Sequence, residues 1–199
     1  MEKKFVFNRD SHRTDVNFTD FYWFKEGFSA EELELIESMT LKLPFETAAT
    51  GQDDKSTISE YRKSQIKWCP QNEEWEWVYR KLHNMIAESN NIMWKFDLST
   101  MNEQIQYTEY YEGGGHYDWH MDCGIGIQNQ RKVSVTVQLS APDEYEGGDL
   151  EFNIGKRMTA QRNKGAAVIF PSFYLHRVTP VTKGTRKSFV LWVGGEPYR

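Results

Sequence analysis

Two periods of apolar residues divide the chain. Behind Ser29 and Glu32, which together make a capping box, Leu33, Ile36, Met39 and Leu43 recur at helical spacing and predict a first helix from Ser29 to about Leu43. A second helical pattern runs from about Glu73 to Asn90, with Trp75, Val78, Leu82, Met85 and Ile86 on one face and charged residues on the other. Pro70 precedes it, and Asn90-Asn91 is expected to end it. Residues 46–61 (ETAATGQDDKSTISEY) are polar and without pattern, and read as a mobile loop placed to cover a site.

From about Ile92 the period falls to two. Val133, Val135, Val137 and Leu139 alternate with Lys132, Ser134, Thr136 and Gln138, the pattern of a strand with one dry and one polar face. Further strands are expected at 149–153, 166–170, 177–181 and 188–193, separated by turns at Gly147-Gly148, Gly165 and Gly184. Many short strands after two helices predict an α+β fold whose sheet part is a sandwich or barrel, with a jelly roll the choice among these. No repeat interrupts the pattern, and 199 residues with 39% hydrophobic suit one domain, 1–199. Its helical support would span about 20–91 and its jelly-roll core about 92–199.

Charge narrows the partners. A formal net charge of −5, with no long block of Lys or Arg, argues against a nucleic-acid partner. Cys69 and Cys123 are too few for a disulfide framework and lack the spacing of a structural zinc site, which fits a reducing, cytoplasmic setting. The first fifteen residues alternate charges with short apolar groups, so no signal peptide is expected, and no later stretch suits a membrane span. Nothing in the pattern speaks to oligomeric state.

The densest polar run, Tyr111 to Asp122, contains two overlapping pairs, His116-x-Asp118 and His120-x-Asp122. On an extended chain residues i and i+2 share a face, so either pair can offer an imidazole and a carboxylate to one ion. A lone pair of this kind is commonplace in a polar hairpin. A third donor changes its meaning: His176 closes the apolar run Phe170 to Leu175. Two histidines and one carboxylate on a β scaffold can form a facial triad with open positions, the donor set suited to iron(II). Arg186 follows His176 by ten residues; taken singly it would be a solvated turn residue, but near such a site it can grip the distal carboxylate of a dicarboxylic co-substrate.

The order Tyr111, Tyr117-x-x-His120-x-Asp122, Tyr145-x-Gly147-Gly148-Asp149-Leu150, Phe170-Pro171, His176, Arg186 and Trp192 resembles the catalytic core of the prolyl 4-hydroxylase-like Fe(II)/2-oxoglutarate-dependent oxygenases. The resemblance is close over about 104–195 and weak around Arg62-Lys63-Ser64. It implies a double-stranded β-helix backed by the N-terminal helices. It also selects His120 over His116, through the tyrosines nine and three residues earlier, and so implies His120, Asp122 and His176 as metal ligands. The same resemblance implies that Arg186 holds 2-oxoglutarate, that Tyr111 donates a hydrogen bond to it, and that Tyr117 and Trp192 line the cavity where substrate meets iron; its weaker part suggests that Arg62 contacts a peptide substrate, the alternative being a surface arginine. Many prolyl 4-hydroxylases carry Lys where this chain has Arg186, which shifts the subfamily and not the chemistry. The implied reaction is hydroxylation of a prolyl residue in a peptide or protein, with Fe(II), 2-oxoglutarate and O2, ascorbate as reductant, and release of succinate and CO2. The rival readings are the same chemistry on a lysyl residue, free amino acid or other small molecule, and a non-catalytic metal-binding jelly-roll module.

Gly147-Gly148 is expected to be a hairpin turn. Trp75 and Trp77 are read as core, His12 and His83 as solvated, and Cys123 as packing.

Overall fold

The capping box forms as its residues dictate. Ser29 Oγ accepts the Glu32 amide at 3.3 Å while Glu32 Oε2 accepts the Ser29 amide at 2.7 Å, so two orphan donors of the first turn are satisfied. The computed structural model describes residues 20–48, 60–99, 101–124 and 130–196. In chain order its elements are β1 (Tyr22–Phe24), α1 (Ala30–Leu41), β2 (Glu46–Thr47), β3 (Arg62–Lys63), β4 (Gln65–Cys69), α2 (Glu76–Met93), β5 (Ile105–Tyr111), β6 (Gly115–His120), β7 (Arg131–Gln138), β8 (Tyr145–Gly147), β9 (Leu150–Asn153), β10 (Arg157–Thr159), β11 (Ala167–Pro171) and β12 (His176–Gly194).

Helix α2 is displaced toward the C-terminus relative to the pattern. At its start Asn72 accepts the Trp75 amide on both its carbonyl and its side chain, so the chain turns there and enters the helix only at Glu76. At its end Asn90 does not stop the helix. Its side chain brackets the peptide units of Phe96, accepting from Phe96 N at 2.9 Å and donating to Phe96 O at 3.0 Å, and the left-handed residue that breaks the run is Lys95, φ 54°.

Two sheets share β12. One runs β1-β11-β7-β12-β5-β4-β2, antiparallel throughout. In the other, β6 flanks the first half of β12 on one side and β8 and β9 flank it on the other, with β3 beyond β6 and β10 beyond β9. Strands β1 to β4 precede Ile92, so the division into a helical first part and a β second part is corrected: β4 sits inside the first sheet, and Glu46–Thr47, read as loop, pair with it. Residues 49–59 of that expected loop lie outside the described residues, as does His12.

The two strands expected on either side of Gly184 are one, 19 residues long. Gly184 lies within the strand, paired with Tyr145, and is not a turn: its φ is +71° and a Cβ there would lie 2.1 Å from the Glu144 carbonyl oxygen, a place only glycine fills; the register shift lies just before it, between Val181 and Lys183. Gly147-Gly148 is likewise no hairpin, since β8 and β9 both pair with β12.

The helices cover the first sheet. Leu82, Val78, Trp75 and Ile36 are at most 1% exposed and pack in one cluster with Val133, Val135, Val137, Phe189 and Leu191. Trp75 meets Phe189 edge-on at 6.1 Å and Trp77 meets Phe28 at 6.3 Å, as core residues. Among the described residues no helix is long and apolar enough to cross a membrane. Leu82→Ala is expected to leave a cavity between α2 and the sheet and to cost about 2–5 kcal/mol of unfolding free energy in urea titration, against a negligible change for Leu41→Ala on the exposed end of α1.

Candidate metal centre and its cavity

The face of β7 opposite the helices is polar yet buried: all eight residues are inaccessible. It points into the space between the two sheets, so its alternation separates an apolar core from a polar interior. The same parity on β5 turns Gln106, Thr108 and Tyr110 inward, and on β12 it turns Arg186, Ser188 and Trp192 inward. Of these, Gln106, Tyr110, Arg186, Ser188 and Trp192, with Tyr117, His120, Asp122 and His176 from the second sheet and its edge, line a cavity of about 410 Å³.

At its centre the ring nitrogens of His120 and His176 and the Asp122 carboxylate lie within 4.8 Å of one another. His120 ends β6 and His176 opens β12, and the two face each other in register. Each imidazole gives Nδ1–H to a backbone carbonyl two residues earlier, His120 to Asp118 at 2.7 Å and His176 to Tyr174 at 2.8 Å. Both Nε2 lone pairs are thereby turned to Asp122, at 3.7 and 3.6 Å, too long for hydrogen bonds and suited to donors that share an ion. Burial, with His176 adding to it, pushes His120 down to about 3, so its ring is a neutral donor at physiological pH. Burial alone would raise the Asp122 carboxyl, but the His176 and His120 rings, the Ser134 hydroxyl and Arg131 together hold it below its ordinary value.

Asp122 is tethered at several points. Ser134 Oγ donates to Oδ2 at 2.6 Å and lies 2.9 Å from Ser172 Oγ, while the Asp122 amide donates to Ser172 O at 2.8 Å. Arg131 Nη1 donates to the Asp122 carbonyl at 3.3 Å. Neither serine nor Arg131 stands out in the sequence as chemistry; only the inward parity of β7 could have pointed to Ser134.

Arg186 is 2% exposed and forms no ion pair with any described residue; its nearest polar partner is Ser188 Oγ at 3.3 Å, and Tyr110 lies 5.5 Å below it. A Cβ on Gly148 would come within 3.1 Å of Arg186 Cδ, so that glycine makes room for the side chain. A guanidinium buried without an anion is costly, and this one borders the same cavity as the triad.

The other expected residues divide. Tyr117 lines the cavity, stacked 3.5 Å over His120, with the Arg62 guanidinium 4.5 Å from its ring. Arg62 is buried, donating to Ser64 and Gln106, and is part of the cavity wall. Trp192 also lines it, and its buried Nε1 has no acceptor among the described residues. Tyr111 is corrected by parity: its hydroxyl donates to Gln65 at 3.0 Å and to Glu109, on the opposite face of β5, and Tyr110 takes the inward place. His116 stands apart, its two nitrogens 2.7 Å from the carbonyls of Gly114 and Glu60. His83 is exposed, and Cys123 is free and half-buried.

Residues 105–194 match the family model of the 2OG-Fe(II) oxygenase superfamily. A PKHD-type hydroxylase of Teredinibacter turnerae is 32% identical over 151 residues, 72% of this chain and 65% of that protein, so the chain spans less than two thirds of its relative's length. In fold, the chain is similar to a prolyl hydroxylase of Trichoplax adhaerens solved with a hypoxia inducible factor peptide (TM-score 0.74, 16% identity, 89% of this chain and 84% of that one). It is also similar to a Pseudomonas putida prolyl-4-hydroxylase (TM-score 0.67, 18% identity, 88% and 92%). The fold is the double-stranded β-helix of these neighbours. The cofactor set of the superfamily is Fe(II) with 2-oxoglutarate and O2. The donors fit it: two imidazoles and a carboxylate beside a buried guanidinium that has no ion-pair partner among the described residues. Ser134→Ala is expected to keep the fold while weakening divalent-metal affinity about 10- to 100-fold, read by Co(II) titration of the visible spectrum.

Proposed function

We propose that the chain, whose residues 105–194 match the family model of the 2OG-Fe(II) oxygenase superfamily, is a 2-oxoglutarate-dependent dioxygenase that hydroxylates a prolyl residue in a peptide or protein. The observation that carries the reading is the buried Arg186, without an anionic partner among the described residues, bordering the same cavity as His120, Asp122 and His176. In this reading His120, Asp122 and His176 hold Fe(II) through three positions and leave the others open. Bound iron, with 2-oxoglutarate and O2, supplies the oxidation that inserts one oxygen atom into a C–H bond and converts 2-oxoglutarate to succinate and CO2.

The chain's own residues do the holding. Arg186 takes the distal carboxylate of 2-oxoglutarate through its two parallel N–H groups, an orientation that a lysine ammonium would not impose. Ser188 and Tyr110 fix the guanidinium from beside and below. The Nδ1–H bonds of His120 and His176 keep both rings in one tautomer and orientation. Tyr117, Arg62 and Trp192 wall the remaining space, where the acceptor would sit, with Trp192 Nε1–H available to an acceptor oxygen. The enclosing sheets keep bulk water from the reacting atoms.

The prolyl acceptor is supported by the two similar structures above, both prolyl hydroxylases and one of them solved with a peptide. Two cysteines without a disulfide support a reducing, cytoplasmic setting, and ascorbate is the proposed reductant. The test is succinate formation by anaerobically iron-loaded protein given 2-oxoglutarate and O2, beside His120→Ala, with a panel of proline-containing peptides. Peptide-stimulated succinate and a peptide mass gain of one oxygen, both lost in His120→Ala, are expected. Succinate without any peptide effect would keep the oxygenase and overturn the prolyl acceptor in favour of a lysyl residue, a free amino acid or another small molecule. Absence of iron-dependent turnover would leave a metal-binding jelly-roll module.

A further inference from the structure

We infer that Arg131 is a positioning residue of the metal centre, binding the Asp122 main chain and the Trp192 indole into one block anchored on Glu103. The inference rests on the iron-centre reading above, because what Arg131 positions is one of the three ligands.

Three parts of one guanidinium are used at once. Nε donates to Glu103 Oε1 at 2.7 Å and Nη2 donates to Glu103 Oε2, a bidentate pair. Nη1 donates to the Asp122 carbonyl at 3.3 Å. The plane lies 3.8 Å from the centroid of the Trp192 ring. Only a planar fork with five donors can meet a carboxylate, a carbonyl and an aromatic face together; an ammonium keeps the charge and loses two of the three.

The block reaches from the helical layer to the metal. Glu103 lies just before β5, and Gln71, in the turn before α2, donates to the carbonyls of Met101 and Glu103 at 2.7 and 3.2 Å. At the other end, Trp192 pairs with Ser134 across β12 and β7, and Ser134 holds the Asp122 carboxylate. Ser134 therefore fixes the head of Asp122, Ser172 its amide, and Arg131 its carbonyl. Asp122 lies beyond the end of β6, outside the strand ladder that orients His120 and His176, so these tethers stand in for a strand.

Electrostatics and positioning have opposite signs here. A guanidinium beside the centre repels a divalent cation, so if charge were its whole effect, removing Arg131 would leave metal affinity unchanged or raised. If it positions Asp122, removal lowers the affinity, and lysine does not rescue it.

The experiment is Co(II) titration, followed by visible absorption, of wild type, Arg131→Lys, Arg131→Met, Glu103→Gln and the Arg131→Met/Glu103→Gln double variant, each first shown to be folded by urea denaturation. Both Arg131 variants are expected to bind Co(II) about 10- to 100-fold more weakly. Glu103→Gln should lose less, in the same direction. The double variant should be no weaker than Arg131→Met, because Glu103 acts through Arg131. An Arg131→Met protein that binds Co(II) as tightly as wild type, or more tightly, overturns the inference, as does full rescue by Arg131→Lys. Should the Arg131 variants not fold, unchanged affinity in Glu103→Gln overturns it equally. A wild-type chain that binds no Co(II) would instead remove the iron-centre reading itself.

Discussion

Strand β12 hydrogen-bonds to both sheets along one run, and the site exists because it does. Its first half pairs with β6 and β9 and its second with β5 and β7. His176 opens the run, and Arg186, Ser188 and Trp192 follow on the inward side. A candidate metal donor, a cation and an aromatic wall are thus set on one backbone, and their spacing is fixed by the strand rise and by the register shifts between His176 and Lys183. Opposite His176, β6 brings His120 in register, so two of three donors are placed by ladder hydrogen bonds. Asp122, beyond the ladder, is held instead by the Ser134 hydroxyl, the Ser172 carbonyl and Arg131.

The interior carries charges that the other described residues do not neutralise. Arg131 has Glu103, and Arg162 has Asp149, yet Arg186 has only a hydroxyl and a ring among the described residues. Asp122, kept ionised beside neutral His120, is an anion awaiting a cation. A cavity with an unpaired anion at one place and an unpaired guanidinium at another is incomplete as a protein interior. In the proposed reading a divalent metal and a dicarboxylate with its free end toward Arg186 would complete both.

Most of this was legible in the chain where the signal is local. The capping box, the two helical faces, β7 and the His120-x-Asp122 pair follow from patterns within a few residues of one another. Failures came where a distant partner decides. Asn90 reads as a helix stop, but its side chain is used by Phe96 six residues on. Gly184 reads as a turn, yet it pairs with Tyr145 inside a continuous strand, with the Glu144 carbonyl packed against it. Gln65 to Cys69 alternates as a strand should, but it stands between helices and finds its place only by pairing with β5. Tyr111 was chosen by resemblance, while the parity of β5 gives the cavity to Tyr110. The polar face of β7 was visible as polar; that it is buried depends on a second sheet far along the chain.

The measurement that bears most directly on the central claim is equilibrium binding, without oxygen, of 2-oxoglutarate and of 2-oxobutyrate to the Mn(II)-loaded protein. The two share the chelating end and differ in the distal carboxylate. If Arg186 is the cation that completes the site, 2-oxoglutarate binds about 100-fold more tightly than 2-oxobutyrate, and Arg186→Met abolishes the difference. Equal binding of the two acids by the wild-type chain, or a preference that survives in Arg186→Met, would contradict it.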